Sequence, residues 1–117
     1  MKEIWGQLLS IDLRECDKNL LKNKKFIKYF CNELCKKIKM KAIGKPIIKR
    51  FGEGKLKGYS AVQFISTSSI TIHFDEYGSR AFIDIFSCKP FNTKIAIDFC
   101  KNFFKAKKVV WRNYYRY

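Results

Sequence analysis

The stretch Tyr59-Ser60-Ala61-Val62-Gln63-Phe64-Ile65-Ser66-Thr67-Ser68-Ser69-Ile70-Thr71-Ile72-His73-Phe74 decides how the chain folds. Tyr59 to Ser66 reads as a strand, and Ser69 to Phe74 as the next. In the second, Ile70, Ile72 and Phe74 fall on one face and Thr71 and His73 on the other, the period-two pattern of a half-buried strand. Between the two runs lies a cluster of small hydroxyl residues. Asp75-Glu76-Tyr77-Gly78 then predicts a turn, and Ala81 to Phe86 alternates again as a further strand.

Outward from this centre the pattern changes twice to a helical period. Gln7 to Leu13 alternates, with Leu9, Ile11 and Leu13 on one face, as a first strand. Asp17 and Asn19 offer N-cap oxygens. From Leu20 to about Ile38, the apolar stripe Leu20, Ile27, Phe30, Cys31, Leu34 and Ile38 predicts one amphipathic helix with its lysines in water. Lys39 to Gly44 turns the chain and Pro46 to Phe51 predicts a strand. Gly52 to Gly58 is glycine-rich and charged, and it has no Gly-Lys-Ser/Thr ending to cradle a phosphate. Pro90 and Asn92 open a second helix whose stripe is Ala96, Phe99, Cys100 and Phe103, with Ile95 and Phe104 at its margins. Val109 to Tyr115 is the last strand. The order predicts an α+β fold, a two-layer sandwich with two helices on one face of a mostly antiparallel sheet.

The bulk numbers bound the rest. A chain of 117 residues predicts a single domain over 1–117, and 47% hydrophobic with 16% aromatic residues suffices for a packed interior. The beginning of the chain has no apolar run of signal or membrane-spanning length, so the expectation is a soluble cytoplasmic protein without a membrane partner. Five cysteines at irregular spacing predict reduced thiols rather than a disulfide framework. Cys31 and Cys35 stand one helical turn apart, but no histidine is near them, and no metal is expected. The net charge of +15 admits two readings. One is nucleic-acid binding. The other is a chain rich in Lys, Ile, Phe and Asn together, with its lysines spread along a helix; it predicts only weak, salt-sensitive affinity for polyanions and no specific nucleic acid.

An RNA-binding βαββαβ module is the non-enzyme alternative. Lys57-Gly58-Tyr59-Ser60-Ala61-Val62-Gln63-Phe64 resembles the RNP1 octapeptide of that family. Tyr59 could stack on a base, but the next stacking position is Ala61, Leu8 to Leu13 has no aromatic, and there are more strands between the helices than the two of that scheme.

Ser68, His73 and Cys88 are the polar residues that could form a site. A Ser-His-Asp hydrolase would need a nucleophile elbow and an orienting carboxylate, and neither is evident. A Cys88–His73 pair has no local signature. A different chemistry suits a serine placed between two strands: attack on its own preceding carbonyl, then elimination, leaving a pyruvoyl group. Such a ketone captures an amine as a Schiff base and acts as an electron sink.

Here the residues resemble a family. Ile65-Ser66-Thr67-Ser68-Ser69-Ile70-Thr71-Ile72-His73, Glu76-Tyr77-Gly78 and Ile83-Asp84-Ile85-Phe86-Ser87-Cys88 are similar to the short prokaryotic S-adenosylmethionine decarboxylases, as are Glu15-Cys16-Asp17, Lys49-Arg50-Phe51 and Lys105-Ala106-Lys107-Lys108-Val109. The resemblance implies a pyruvoyl-dependent lyase of polyamine biosynthesis, a homodimer of self-cleaved protomers with no metal. Cleavage between Thr67 and Ser68 would give a β chain 1–67 and an α chain 68–117. By the same resemblance, Ser68 is the pyruvoyl precursor, and His73 and Ser60 assist processing. Cys88 returns a proton to the substrate carbon, Glu76 holds the ribose, and Phe51 stacks on adenine.

The chain departs from the family pattern in four places. Thr67 replaces a glutamate and Ser69 a histidine, Phe74-Asp75 is one residue shorter than usual, and the loop after Phe51 is longer. The last two changes give a second substrate reading, arginine or ornithine, with Asp75 or Glu76 facing the cationic tail.

Overall fold

The computed structural model describes residues 3–117. Its strands are β1 (Gly6–Arg14), β2 (Ile47–Phe51), β3 (Gly58–Ile65), β4 (Ser68–Asp75), β5 (Arg80–Ser87) and β6 (Lys108–Arg116). They form one six-stranded sheet in the order β2-β3-β4-β5-β1-β6. Every pairing is antiparallel. Strand β1 therefore lies between β5 and β6, far in sequence from both neighbours.

The α+β sandwich anticipated from the sequence is present, with three α-helices rather than two. The expected single helix from Leu20 is divided into α1 (Lys18–Leu21) and α2 (Lys24–Lys37). Asp17 caps α1 through the Asn19 N–H, so Asn19 is a helical residue and not a cap. Asn23 then accepts from the Phe26 N–H at 3.0 Å and starts α2 afresh. A capping oxygen competes with helix continuation, and here it wins. Asn92 caps α3 (Thr93–Phe103) in the same way, accepting from the Ile95 N–H. A short 3-10 turn, Gly54–Leu56, lies within the glycine-rich loop.

The core lies between the helices and one face of the sheet. Leu9, Ile11 and Leu13 from β1, Ile70 and Ile72 from β4, and Ile83 and Ile85 from β5 are fully buried. Ile27, Phe30, Cys31 and Leu34 of α2 and Ala96 and Cys100 of α3 meet them, as their stripes require. Phe104 was expected at the helix margin and is instead one of the largest fully buried side chains. It caps the end of α3, and its ring enters an aromatic cluster with Phe26, Phe30 and Phe74. The alternate residues of β3, β4 and β5, among them Ser60, Phe64, Thr71, His73, Phe82 and Asp84, belong to the opposite face and are partly or fully exposed. Among the described residues, no helix is long and apolar enough to cross a membrane.

Tyr59, the ring on which the RNA-binding alternative rested, is half-buried against the core with the Arg50 guanidinium 5.8 Å from its centroid. It is not a free stacking platform.

Candidate active site

Ser66 and Thr67 make a two-residue turn, because Ile65 pairs with Ser68 across the β3–β4 hairpin. The segment after α2 braces this turn on one side, where the Ser66 N–H donates to the Lys41 carbonyl at 2.9 Å and Ala42 bridges to Ile65. On the other side Ser68 pairs with Ser87 of β5, and the Cys88 N–H donates to the Thr67 carbonyl at 3.1 Å. That carbonyl belongs to the peptide bond joining Thr67 to Ser68. An N–H aimed at it polarises the carbon and would share the negative charge of a tetrahedral adduct.

The side chain of Thr67 is held as well. Its Oγ1 lies 2.7 Å from Ser87 Oγ and 3.4 Å from the Met40 sulfur. Ser87 is wholly buried, and its Oγ also accepts from the Lys89 N–H at 3.0 Å. No role was assigned to Ser87 or Met40 from the sequence. The signal was nonetheless there: Ser87 continues the series Ala81, Ile83, Ile85 on the core face, so a hydroxyl at that point has to find a partner inside.

Cys88 is the exposed thiol; Cys16, Cys31, Cys35 and Cys100 are buried. Burial pushes the Cys16 thiol up to about 11 and the Cys31 thiol up to about 12. It also raises Cys35 and Cys100. Those four remain protonated and serve as small apolar groups.

Ser60 and His73 are cross-strand partners, and Ser60 Oγ lies 3.0 Å from His73 Nδ1. This pair is not beside Ser68. His73 follows Ser68 by five residues on the same strand, which is ~16 Å of rise and an odd step that places the two on opposite pleats. Within one chain the structure thus forms two separate groups, Thr67–Ser68–Ser87–Cys88 at the turn and Ser60–His73 further along the sheet.

The remaining expected residues lie at the open end of the hairpin. Both carboxylate oxygens of Glu76 accept from Arg50, from Nε at 2.9 Å and from Nη2 at 2.7 Å. This two-point bond holds the Glu76 carboxyl below the usual glutamate range, against the opposing effect of burial, and raises Arg50. Asp75 accepts from the Gly78 N–H at 3.0 Å and from Arg80 Nε at 2.6 Å. Burial works to raise its carboxyl, but these bonds outweigh it and the net shift is downward. Phe51 ends β2 opposite Gly58 and is exposed. Gly58 itself tolerates no side chain, since a Cβ would overlap the Phe74 carbonyl oxygen. Among the described residues, no three His, Cys, Asp or Glu side chains are grouped to hold a metal.

Fold and site together define a small two-layer α+β protein whose hydroxyl, imidazole and thiol groups are gathered on one hairpin and its neighbour. The crystal structure of the adenosylmethionine decarboxylase from Aquifex aeolicus VF5 has the same fold, with a TM-score of 0.84 over 98% of this chain and 92% of that one, at 19% identity. The family model for S-adenosylmethionine decarboxylase matches residues 7–117. The S-adenosylmethionine decarboxylase proenzyme of Clostridium botulinum strain Langeland is 33% identical over 105 residues, covering 89% of this chain and 87% of that protein. The proenzyme of strain Okra matches to the same extent. The chain belongs to the S-adenosylmethionine decarboxylase family.

Proposed function

We propose that the protein is a self-processing, pyruvoyl-dependent decarboxylase of polyamine biosynthesis, with S-adenosylmethionine as its first substrate. The observation that carries this is the Thr67 carbonyl, held by the Cys88 N–H at the peptide bond that would be cut. Ser68 Oγ attacks the Thr67 carbonyl carbon, the carbon–nitrogen bond breaks, and the Ser68 nitrogen takes a proton, leaving an ester. Loss of the Ser68 α-proton and of the Oγ–Cβ bond releases residues 1–67 as a carboxylate. The dehydroalanine left on residue 68 tautomerises, takes up water and loses ammonia. The resulting pyruvoyl group supplies an electron sink for the carbon that loses carbon dioxide. The exposed Cys88 thiol, one bond sequence from the N–H that holds the cut carbonyl, then returns a proton to that carbon.

His73 carries the one imidazole of the chain, yet it lies ~16 Å along the strand from Ser68 of its own chain. In this reading a second copy supplies it. The protein acts as a homodimer in which the β3–β4 turn of one protomer, carrying Ser68 with Cys88 beside it, meets Ser60 and His73 on the uncovered sheet face of the other. Its five cysteines, none of them in a disulfide, suit the reducing cytoplasm, where we place it.

A second substrate reading would have Asp75 or Glu76 face a cationic tail. It needs one of these acids to leave Arg80 or Arg50, just as ribose binding needs Glu76 to leave Arg50. Arginine or ornithine remains the alternative substrate.

Intact-mass measurement of the purified protein tests the processing step. Fragments ending at Thr67 and starting with a blocked residue 68 support it, and an uncut chain refutes it. Carbon dioxide release from labelled S-adenosylmethionine, arginine and ornithine separates the substrates.

A further inference from the structure

We infer that Ser87 is a positioning residue for the cleavage step: through the Thr67 hydroxyl it sets the orientation of the carbonyl that Ser68 attacks. The inference rests on the self-processing reading and adds a residue to it.

The bonding around Ser87 runs in one direction. Its Oγ accepts from the Lys89 N–H at 3.0 Å. Each hydroxyl has a single proton to give. The Met40 sulfur is 3.4 Å from Thr67 Oγ1 and 3.8 Å from Ser87 Oγ, so the better donor to sulfur is Thr67. Ser87 then donates to Thr67, across 2.7 Å, and Thr67 donates to Met40. The chain Lys89 N–H to Ser87 to Thr67 to Met40 leaves each hydroxyl donating once and accepting once, the most stable arrangement for a wholly buried Ser87 and a partly buried Thr67.

The same short segment also holds the carbonyl. Ser87 grips the Thr67 side chain, and the next residue, Cys88, grips the Thr67 carbonyl through its N–H at 3.1 Å. Two bonds from consecutive residues fix both the side-chain torsion of Thr67 and the plane of the peptide that follows it. Threonine is stiff at that torsion to begin with. This matters because the attack closes a five-membered ring, and Ser68 Oγ must approach one face of the carbonyl carbon. If the peptide plane can swing, the reacting atoms lose that alignment and the Cys88 N–H loses its aim at the developing oxyanion. A displacement of about 1 Å in such a geometry costs on the order of a hundredfold in rate.

The test follows the full-length protein from synthesis in a cell-free system, reading by mass the conversion of the 117-residue chain into its two pieces. Wild type, Ser87→Ala, Ser87→Thr and Thr67→Val are compared. Ser87→Ala and Thr67→Val are each expected to slow cleavage about ten- to hundredfold. Ser87→Thr, which keeps the hydroxyl, restores a rate within about threefold of wild type, a margin well inside the hundredfold effect that misalignment predicts. Hydroxylamine splits an ester but not a peptide bond, so it locates the step. Added hydroxylamine leaves the slow variants slow, because too little ester has formed.

Several outcomes overturn the inference. Equal rates for Ser87→Ala and wild type do so alone, leaving self-processing intact. So does an equally slow Ser87→Thr, or full rescue of Ser87→Ala by hydroxylamine. A wild-type chain that never splits removes the self-processing reading and this one together. Thr67→Val breaks the same bond from the other side and decides the question if Ser87→Ala fails to fold.

Discussion

At its turn the β3–β4 hairpin is held by neutral groups, namely the Thr67 and Ser87 hydroxyls, the Met40 sulfur and the Cys88 N–H. At its open end the same hairpin is flanked by the charged pairs Arg50–Glu76 and Asp75–Arg80. Neutral bonds at the turn orient a carbonyl without placing a fixed charge beside it, so they leave its reactivity to the Cys88 N–H and to Ser68. The ion pairs at the open end occupy the acids there and tie β2 to the segment after β4. On the proposed function, one end serves the chemistry and the other holds strands together. Changes at the turn should therefore cost cleavage at little cost in stability, and changes at the open end the reverse.

The largest effect should come from Ser68→Ala, which removes the oxygen proposed to attack. Mass analysis should find the chain whole at 13.9 kDa, with no carbon dioxide release and a melting temperature near wild type. His73→Ala should slow cleavage about a hundredfold or more, the usual contribution of a positioned acid or base. Co-expression with Ser68→Ala should restore cleavage of the His73→Ala chain, because the uncut partner still carries His73. No restoration would break the shared-site reading. At the open end, Gly58→Ala forces a Cβ against the Phe74 carbonyl and should cost about 1–3 kcal/mol in denaturant unfolding. Self-cleavage should persist in the folded fraction.

The smallest effect sharpens the contrast most. Glu76 is held below its ordinary value of 4.5 in the folded protein. Its pair with Arg50 therefore adds stability that is fully present above that pH and is lost as pH falls through the lowered folded value. Glu76→Gln should narrow the gap between neutral and acid melting temperatures by a small amount. A rise in KM for S-adenosylmethionine with unchanged acid stability would show instead that the carboxylate leaves Arg50 for the substrate.

Most of the fold was legible because period two and period 3.6 are read directly from apolar spacing. Ile70, Ile72 and Phe74 are all on the core face, and so are Ile27, Phe30 and Leu34. The break at Lys22-Asn23 was missed because the apolar stripe runs across it, while a single Asn23 oxygen decides the restart. Phe104 was underrated because helical periodicity says nothing about a ring that turns inward after the last helical residue. In the site, residue types and spacing brought out Ser68, His73 and Cys88. The odd step from Ser68 to His73 was countable, but the strand was expected to begin at Ser69 and in fact begins at Ser68; spacing could not reveal that Met40, just beyond the end of α2, reaches Thr67. Spacing reports where residues sit along an element; contact between elements depends on how the layers close.

The order of the strands has one more consequence. A cut between Thr67 and Ser68 would assign β1, β2 and β3 to one piece and β4, β5 and β6 to the other. In the sheet these alternate, with β1 of the first piece lodged between β5 and β6 of the second. The nicked protein would thus be threaded together like two interlaced combs, and would stay assembled without a covalent link. Once unfolded, though, its two pieces would have to find each other in solution. Renaturation would then become second order, slowing with dilution, whereas the uncut precursor refolds at a rate that dilution leaves unchanged.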